Sequence, residues 1–206
     1  MIVIVDYAAG NLTSVKRALD YLKIPSIISP DPKVIASAEQ IIFPGVGHAA
    51  AAMGTLRQRG LDRALKDAFA AGTPILGICL GTQIILSRAE EGDTACLGLI
   101  PGTVPRFKLS DPALKVPHMG WDTIKLTRGH PIFRDIKPGD EYYFVHSYYP
   151  KPSDSSAVIA TCEYQGEFPA VIGDKNIVGT QFHPEKSGPA GLGILKNFAA
   201  WNGAPC

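Results

Sequence analysis

The sequence predicts an α/β fold in a single domain, residues 1–206: a mixed, mostly parallel central sheet flanked by helices, with short antiparallel strands in the second half. Three observations carry that prediction. Short apolar runs alternate with helix-spaced segments up to residue 90. Such alternation builds a parallel sheet covered on both faces, with its chemistry at the carboxyl ends of the strands. From about residue 95 to 182 the texture changes to short strands punctuated by Pro and Gly, which suits antiparallel pairs. With 206 residues, 46% hydrophobic and 19% charged, the chain can bury a sizeable core.

The elements follow in order. Ile2-Val-Ile-Val5 is a continuous β-branched run, the mark of a strand buried on both faces, and it leaves Asp6 at the carboxyl end. Leu12, Val15, Leu19 and Leu22 recur at helical spacing until Pro25. Ile27-Ile28 and Gln40-Ile-Ile-Phe43 are two further strands, the second running into Pro44-Gly45-Val46-Gly47. Helices are predicted over 49–58 and 61–70, the latter with Leu61, Ala64, Leu65 and Ala68 on one face. Residues 74–78 read as a buried strand and 83–86 as the next helix, with Cys79-Leu80-Gly81 at the junction. Short strands are expected at 99–100, 121–125, 141–145, 157–160, 171–172 and 177–178, and a last helix over 191–201. Pro105 to Pro117 reads as a surface loop.

Charge and cysteine usage exclude several classes of function. The formal net charge is +1, so no excess field exists to hold nucleic acid or an anionic membrane nonspecifically. The opening residues carry no basic region or cleavage site, and Asp6 interrupts them early, so a cytoplasmic protein is expected. Cys79, Cys96, Cys162 and Cys206 are scattered without a C-x-x-C pair, which argues against a disulfide scaffold or zinc knuckle. His48, His118, His130 and His146 have no ligand-like spacing, so no metal is expected, and no phosphate-loop motif occurs.

Three stretches carry chemistry. Gly77-Ile78-Cys79-Leu80-Gly81 has the form G-x-nucleophile-x-G, in which glycines permit a sharp strand-to-helix turn that exposes the central side chain. A lone cysteine among apolar neighbours is usually packing. At a helix N-terminus, however, the dipole and free N–H groups favour thiolate and can hold an oxyanion. In Gln181-Phe-His-Pro-Glu185, extended backbone would project His183 and Glu185 to the same side, and a carboxylate beside an imidazole fixes its tautomer. Such a pair alone is commonly a surface ion pair; with an upstream cysteine it completes a Cys, His, Glu order. Pro44-Gly-Val-Gly47 is a strand-end loop whose glycines let backbone amides approach a ligand or flip, although Gly-x-Gly by itself is an ordinary turn.

Together with Asp6-Tyr7-Ala-Ala-Gly10-Asn11, Pro117-His-Met-Gly-Trp121 and Tyr143-Phe-Val-His-Ser-Tyr148, these motifs resemble the class I, triad-type glutamine amidotransferases across nearly the whole chain. The P-H-M-G-W and F-H-P-E-K-S strings are most similar to the branch that forms the glutaminase subunit of imidazole glycerol phosphate synthase. Ala8, Thr82, Asp122 and Gly188 depart from that branch, which tends to have Gly, Met, Asn and Gln there. The resemblance implies a flavodoxin-like sheet, glutamine hydrolysis through a cysteinyl thioester, Cys79 as nucleophile, His183 as proton shuttle and Glu185 as its orienter. It further implies that Leu80 and the Gly45-Val46-Gly47 loop hold the oxyanion, and that Gln83, Glu91, His146, Ser147 and Tyr148 hold glutamine. Pro117, Met119 and Trp121 would face a (β/α)8-barrel cyclase that receives the ammonia, with no cofactor. The rival readings are a subunit of anthranilate or pyridoxal phosphate synthase, a stand-alone glutaminase, and a catalytically silent regulatory subunit on the same fold.

Overall fold

The computed structural model describes residues 1–8 and 10–204, so Cys206 lies outside the described residues. Ten strands matter here: β1 (Ile2–Val5), β2 (Ser26–Ser29), β3 (Gln40–Gly45), β4 (Ile75–Cys79), β5 (His118–Thr123), β6 (Lys125–Leu126), β7 (Glu141–His146), β8 (Val158–Glu163), β9 (Glu167–Asp174) and β10 (Ile177–Thr180). Eight of them form one sheet in the order β2-β1-β3-β4-β10-β9-β8-β6. The first five run parallel. The other joins are antiparallel. β5 and β7 pair separately as an antiparallel ribbon, and four two- or three-residue strands make a small second sheet.

Alternation along the parallel strands divides the core in two. Ile2, Ile4, Ile42, Leu76 and Ile78 point to the side covered by α1 (Leu12–Tyr21) and α6 (Gly188–Ala200). Val3, Val5, Ile41, Phe43 and Ile75 point to the other, against α3 (Ala49–Gln58) and α4 (Leu61–Ala70). Both faces are therefore buried, which is why these strands lack the polar alternation of a half-exposed sheet. The α6 helix buries Gly191, Ile194, Leu195 and Phe198, one stripe at helical spacing.

Most predicted elements are present, and the departures have physical causes. A further helix, α2 (Pro32–Ala36), is capped by Asp31, whose carboxylate accepts from the Lys33 N–H at 2.8 Å, and begins with Pro32. After β4 there is no connecting loop: the strand runs through Cys79 and the helix α5 is Leu80–Ile84, not 83–86. Leu99 and Ile100 are not a strand; both amides bond the Ile85 carbonyl, and the strand follows at Gly102–Val104. The expected strand 121–125 is split between β5 and β6, which belong to different sheets. The last helix starts at Gly188, three residues early. The loop from Pro105 to Pro117 is anchored, with the Ser110 and Asp111 amides donating to Gln165 Oε1 and Tyr164 Oη donating to the Lys115 carbonyl at 2.6 Å.

Candidate active site

β3, β4 and β10 lie side by side at the middle of the sheet, and their carboxyl ends carry the residues singled out in the sequence. Cys79 sits at the β4–α5 junction with φ 53° and ψ −109°, a strained conformation for a residue with a side chain. The flanking glycines make that turn possible. A Cβ on Gly81 would lie 1.8 Å from the Phe43 carbonyl oxygen, and one on Gly77 would crowd the backbone of Thr82 at 3.0 Å. The Leu80 N–H is then the first orphan donor of α5, beside the sulfur.

His183 follows β10 and reaches the same place. Its Nδ1 is 2.7 Å from Glu185 Oε1, and both side chains are buried. The backbone between them is a 3₁₀ turn over Pro184–Lys186 rather than the extended segment expected, so the two side chains meet by curling round the turn. Ser187 fixes this turn: its hydroxyl donates to the His183 carbonyl at 2.6 Å and accepts from the Tyr143 N–H at 3.0 Å. A carboxylate only accepts, so Nδ1 carries hydrogen and Nε2 is left for the thiol. Nε2 is buried with no nitrogen or oxygen partner among the described residues. Burial by itself lowers the His183 pKa; contacts with Cys79 and Glu185 outweigh it and carry the value from 6.5 up to about 10.

A cavity of about 360 Å³ opens over Cys79 and His183. Val46, Gly47, Leu80, Gln83, Glu91, His146, Ser147 and Tyr148 line it, as does Pro117. Gly45 lies beneath the loop rather than in the wall, paired with Cys79 across the sheet, and a Cβ there would collide with Tyr7 Oη at 1.9 Å. Glu91 reaches the N-terminus of α3, where its carboxylate accepts from the Ala49 N–H at 2.6 Å. Met119 and Trp121 stand outside the cavity on the exposed face of β5, 62% and 53% exposed. A larger cavity, about 570 Å³, lies near Arg128, Asp154 and Lys175 and holds none of these groups.

Three residues with no role assigned from sequence join the site. Asn11 donates its side-chain amide to Glu185 Oε1. Gln181 is fully buried and donates to Cys79 Sγ at 3.7 Å. The Tyr7 hydroxyl is buried beside Gly45 without a hydrogen-bond partner among the described residues. Asn11 and Gln181 both stand inside conspicuous motifs, but only tertiary contact reveals their partners. Of the other histidines, His48 and His130 accept backbone N–H bonds at helix starts, whereas His118 and His146 are buried neighbours.

A buried cysteine on a strained elbow, an oriented imidazole and a glycine-flanked loop are the parts that acyl transfer requires. The sequence profile described as "Glutamine amidotransferase class-I" matches residues 3–201. The chain belongs to the class-I glutamine amidotransferases. Relatives of this amidotransferase include the protein called imidazole glycerol phosphate synthase subunit HisH in Nitratidesulfovibrio vulgaris, 50% identical over 98% of this chain and 97% of that one. Proteins of the same name in Moorella thermoacetica and Chloroflexus aurantiacus are 47% and 44% identical, over 96% and 99% of this chain and 93% and 97% of theirs. Among solved structures, a putative GMP synthase protein from Thermoplasma acidophilum superposes with TM-score 0.73 at 21% identity, covering 97% of this chain and 92% of that one. PurLQS from Thermotoga maritima gives 0.74 at 17%, covering 97% of each. At those identities the likeness is one of fold, and it includes the amidotransferase's mixed sheet and flanking helices.

Proposed function

We propose that this chain, as one glutamine amidotransferase domain, is the glutaminase subunit of an imidazole glycerol phosphate synthase in histidine biosynthesis. One observation carries the reading: Cys79 and His183 line one cavity, with Glu185 bonded to His183, in a chain 50% identical, over nearly its whole length, to a protein bearing that name. No helix among the described residues is long and apolar enough to cross a membrane, which suits a cytoplasmic enzyme.

The chemistry follows from the site. The raised pKa of His183 favours the imidazolium, so the ring holds the proton taken from Cys79 as Sγ attacks the side-chain amide carbon of glutamine. The oxyanion that forms is held by the Leu80 N–H and by an amide of the Gly45-Val46-Gly47 loop. Glu185 stabilises the imidazolium, which then gives its proton to the departing nitrogen as ammonia, leaving a γ-glutamyl thioester. Water, deprotonated by His183, cleaves the thioester to glutamate and restores the thiol. Gln83, Glu91 and the His146-Ser147-Tyr148 segment hold the glutamine.

Ammonia released to bulk water at neutral pH becomes ammonium and loses its nucleophilicity. The product therefore passes to a second protein, a (β/α)8-barrel cyclase docked over Pro117, Met119 and Trp121. Two large exposed apolar side chains on one strand face suit such a contact. The test is glutamate release by the purified chain alone and with the barrel and its nucleotide ligand. Strong stimulation by partner and ligand supports the reading; high activity indifferent to the barrel would move the function to a stand-alone glutaminase.

A further inference from the structure

His118 and His146 are buried together beneath the β5–β7 ribbon, 3% and 5% exposed. His118 Nδ1 lies 3.2 Å from His146 Nε2, and His146 Nδ1 lies 2.8 Å from the Tyr148 carbonyl oxygen. On its other side His118 Nε2 lies 3.5 Å from Asp122 Oδ2. The Tyr148 carbonyl also accepts from Gln83 Nε2 at 2.9 Å, Gln83 Nε2 donates to Gln181 Oε1 at 3.0 Å, and Gln181 donates to Cys79 Sγ at 3.7 Å. A continuous run of polar contacts thus joins Asp122, about a third exposed on the ribbon, to the sulfur.

Counting protons along this run exposes a conflict. A carbonyl oxygen only accepts, so His146 Nδ1 carries hydrogen and its Nε2, in a neutral ring, must be offered a donor. His118 Nδ1–H is the group in place. The Asp122 carboxylate, however, is an acceptor facing the other nitrogen of the same ring, and a neutral imidazole has one N–H to give. Burial lowers the His118 pKa against the opposing pull of Asp122 and brings that of His146 down to about 3, which favours the neutral form of both rings. Rings close the remaining sides of His118, Tyr164 stacked at 4.0 Å and Phe144 at 4.9 Å, with Phe107 and Phe168 at its edges. The other titratable neighbours are His183, on the cavity side of His146, and the Cys162 thiol, whose pKa the nearby Asp122 helps to raise.

We propose that Asp122 and His146 compete for the single N–H of His118, so that His118 is a two-position donor and its inward tautomer orders the glutamine pocket. With hydrogen on Nδ1, His118 holds His146, which holds the Tyr148 carbonyl and through it the Gln83–Gln181 pair. With hydrogen on Nε2, His118 turns to Asp122 and two lone pairs face each other across 3.2 Å, loosening the hold on Tyr148. His118 and Asp122 are positioning residues in this scheme. It rests on the reading of this cavity as the glutamine site. An asparagine at 122 would end the competition, because its amide can donate to Nε2.

The experiment is ring-nitrogen NMR of the full chain carrying ¹⁵N-histidine at pH 7.5, paired with glutaminase kinetics. The native protein should show His118 protonated partly at Nδ1 and partly at Nε2, and Asp122→Asn and Asp122→Ser should each leave it protonated at Nδ1 alone. If the inward fraction rises from about one half to nearly one, KM for glutamine falls about two-fold with little change in kcat. A native His118 already protonated at one nitrogen only, or a pattern that both variants leave unchanged, overturns the proposal. The spectra need no turnover, so a failure of the glutaminase reading would show in the kinetics and leave the tautomer result standing.

Discussion

Asn11 and Glu185, 174 residues apart, are joined by a hydrogen bond from the Asn11 amide to Oε1, the same carboxylate oxygen that accepts from His183. Asn11 sits just before α1 with φ 79°, a left-handed conformation that Asn tolerates better than most residues. It therefore ties the first helix of the sheet to the triad at the far end of the chain. Asn11→Ala removes a charge-assisted bond of about 1.5 kcal/mol, and kcat should fall roughly ten-fold with KM for glutamine nearly unchanged. Steady-state kinetics check this. Loss confined to KM would place Asn11 in substrate binding instead.

The oxyanion role proposed for the Gly45-Val46-Gly47 loop requires backbone freedom at Gly47, where φ is 101° and a Cβ would meet nothing within 4 Å. Space is available there but conformation is not. Gly47→Pro fixes φ near −65° and should abolish partner-stimulated turnover while leaving the fold intact by circular dichroism. Stimulated turnover at the native level in this variant would remove the loop from the mechanism.

Two other glycines separate close approach from simple helix propensity. Gly81→Ala drives a methyl into the Phe43 carbonyl and should cost about 3 kcal/mol or more, lowering Tm by roughly 10 °C. Gly54→Ala, within α3 and with open space at its Cβ, should gain about 0.5–1 kcal/mol. Thermal melts of the two variants beside the native chain suffice.

The raised His183 pKa ties stability to pH. Because the folded value, about 10, lies above the unfolded 6.5, the contribution of protonated His183 is fully present below about pH 6.5 and is lost as pH rises towards 10. The Tm gap between the native chain and His183→Asn should therefore be widest near pH 6 and narrow steadily by pH 10. A gap that widens with pH would contradict the imidazolium assignment.

Much of this is legible in the sequence, and what is not has a common cause. Helices α3 and α4 are readable because ten residues suffice for periodicity to show. The five-residue α2 is too short for that, although Asp31-Pro32 carries its start signal. Cys79, His183 and Glu185 are readable because glycines and a tight two-residue spacing mark them locally. The contacts of Asn11 with Glu185, Gln181 with Cys79 and Asp122 with His118 are not, since each depends on how strands and turns come together in three dimensions. The His183 turn shows the same limit: the side chains meet as expected, but by a 3₁₀ bend where the residue pattern suggests extended backbone.

The most direct test of the account is covalent labelling with a glutamine-analogue chloroketone, read by intact mass and peptide mapping, with the barrel partner and its ligand present. One adduct per chain is predicted, on Cys79, blocked by excess glutamine and absent from Cys79→Ala. The free thiols Cys96 and Cys162 should remain unlabelled, since burial raises the pKa of both. Labelling of Cys96 or Cys162 in its place, or full glutaminase activity in Cys79→Ala, would contradict the account.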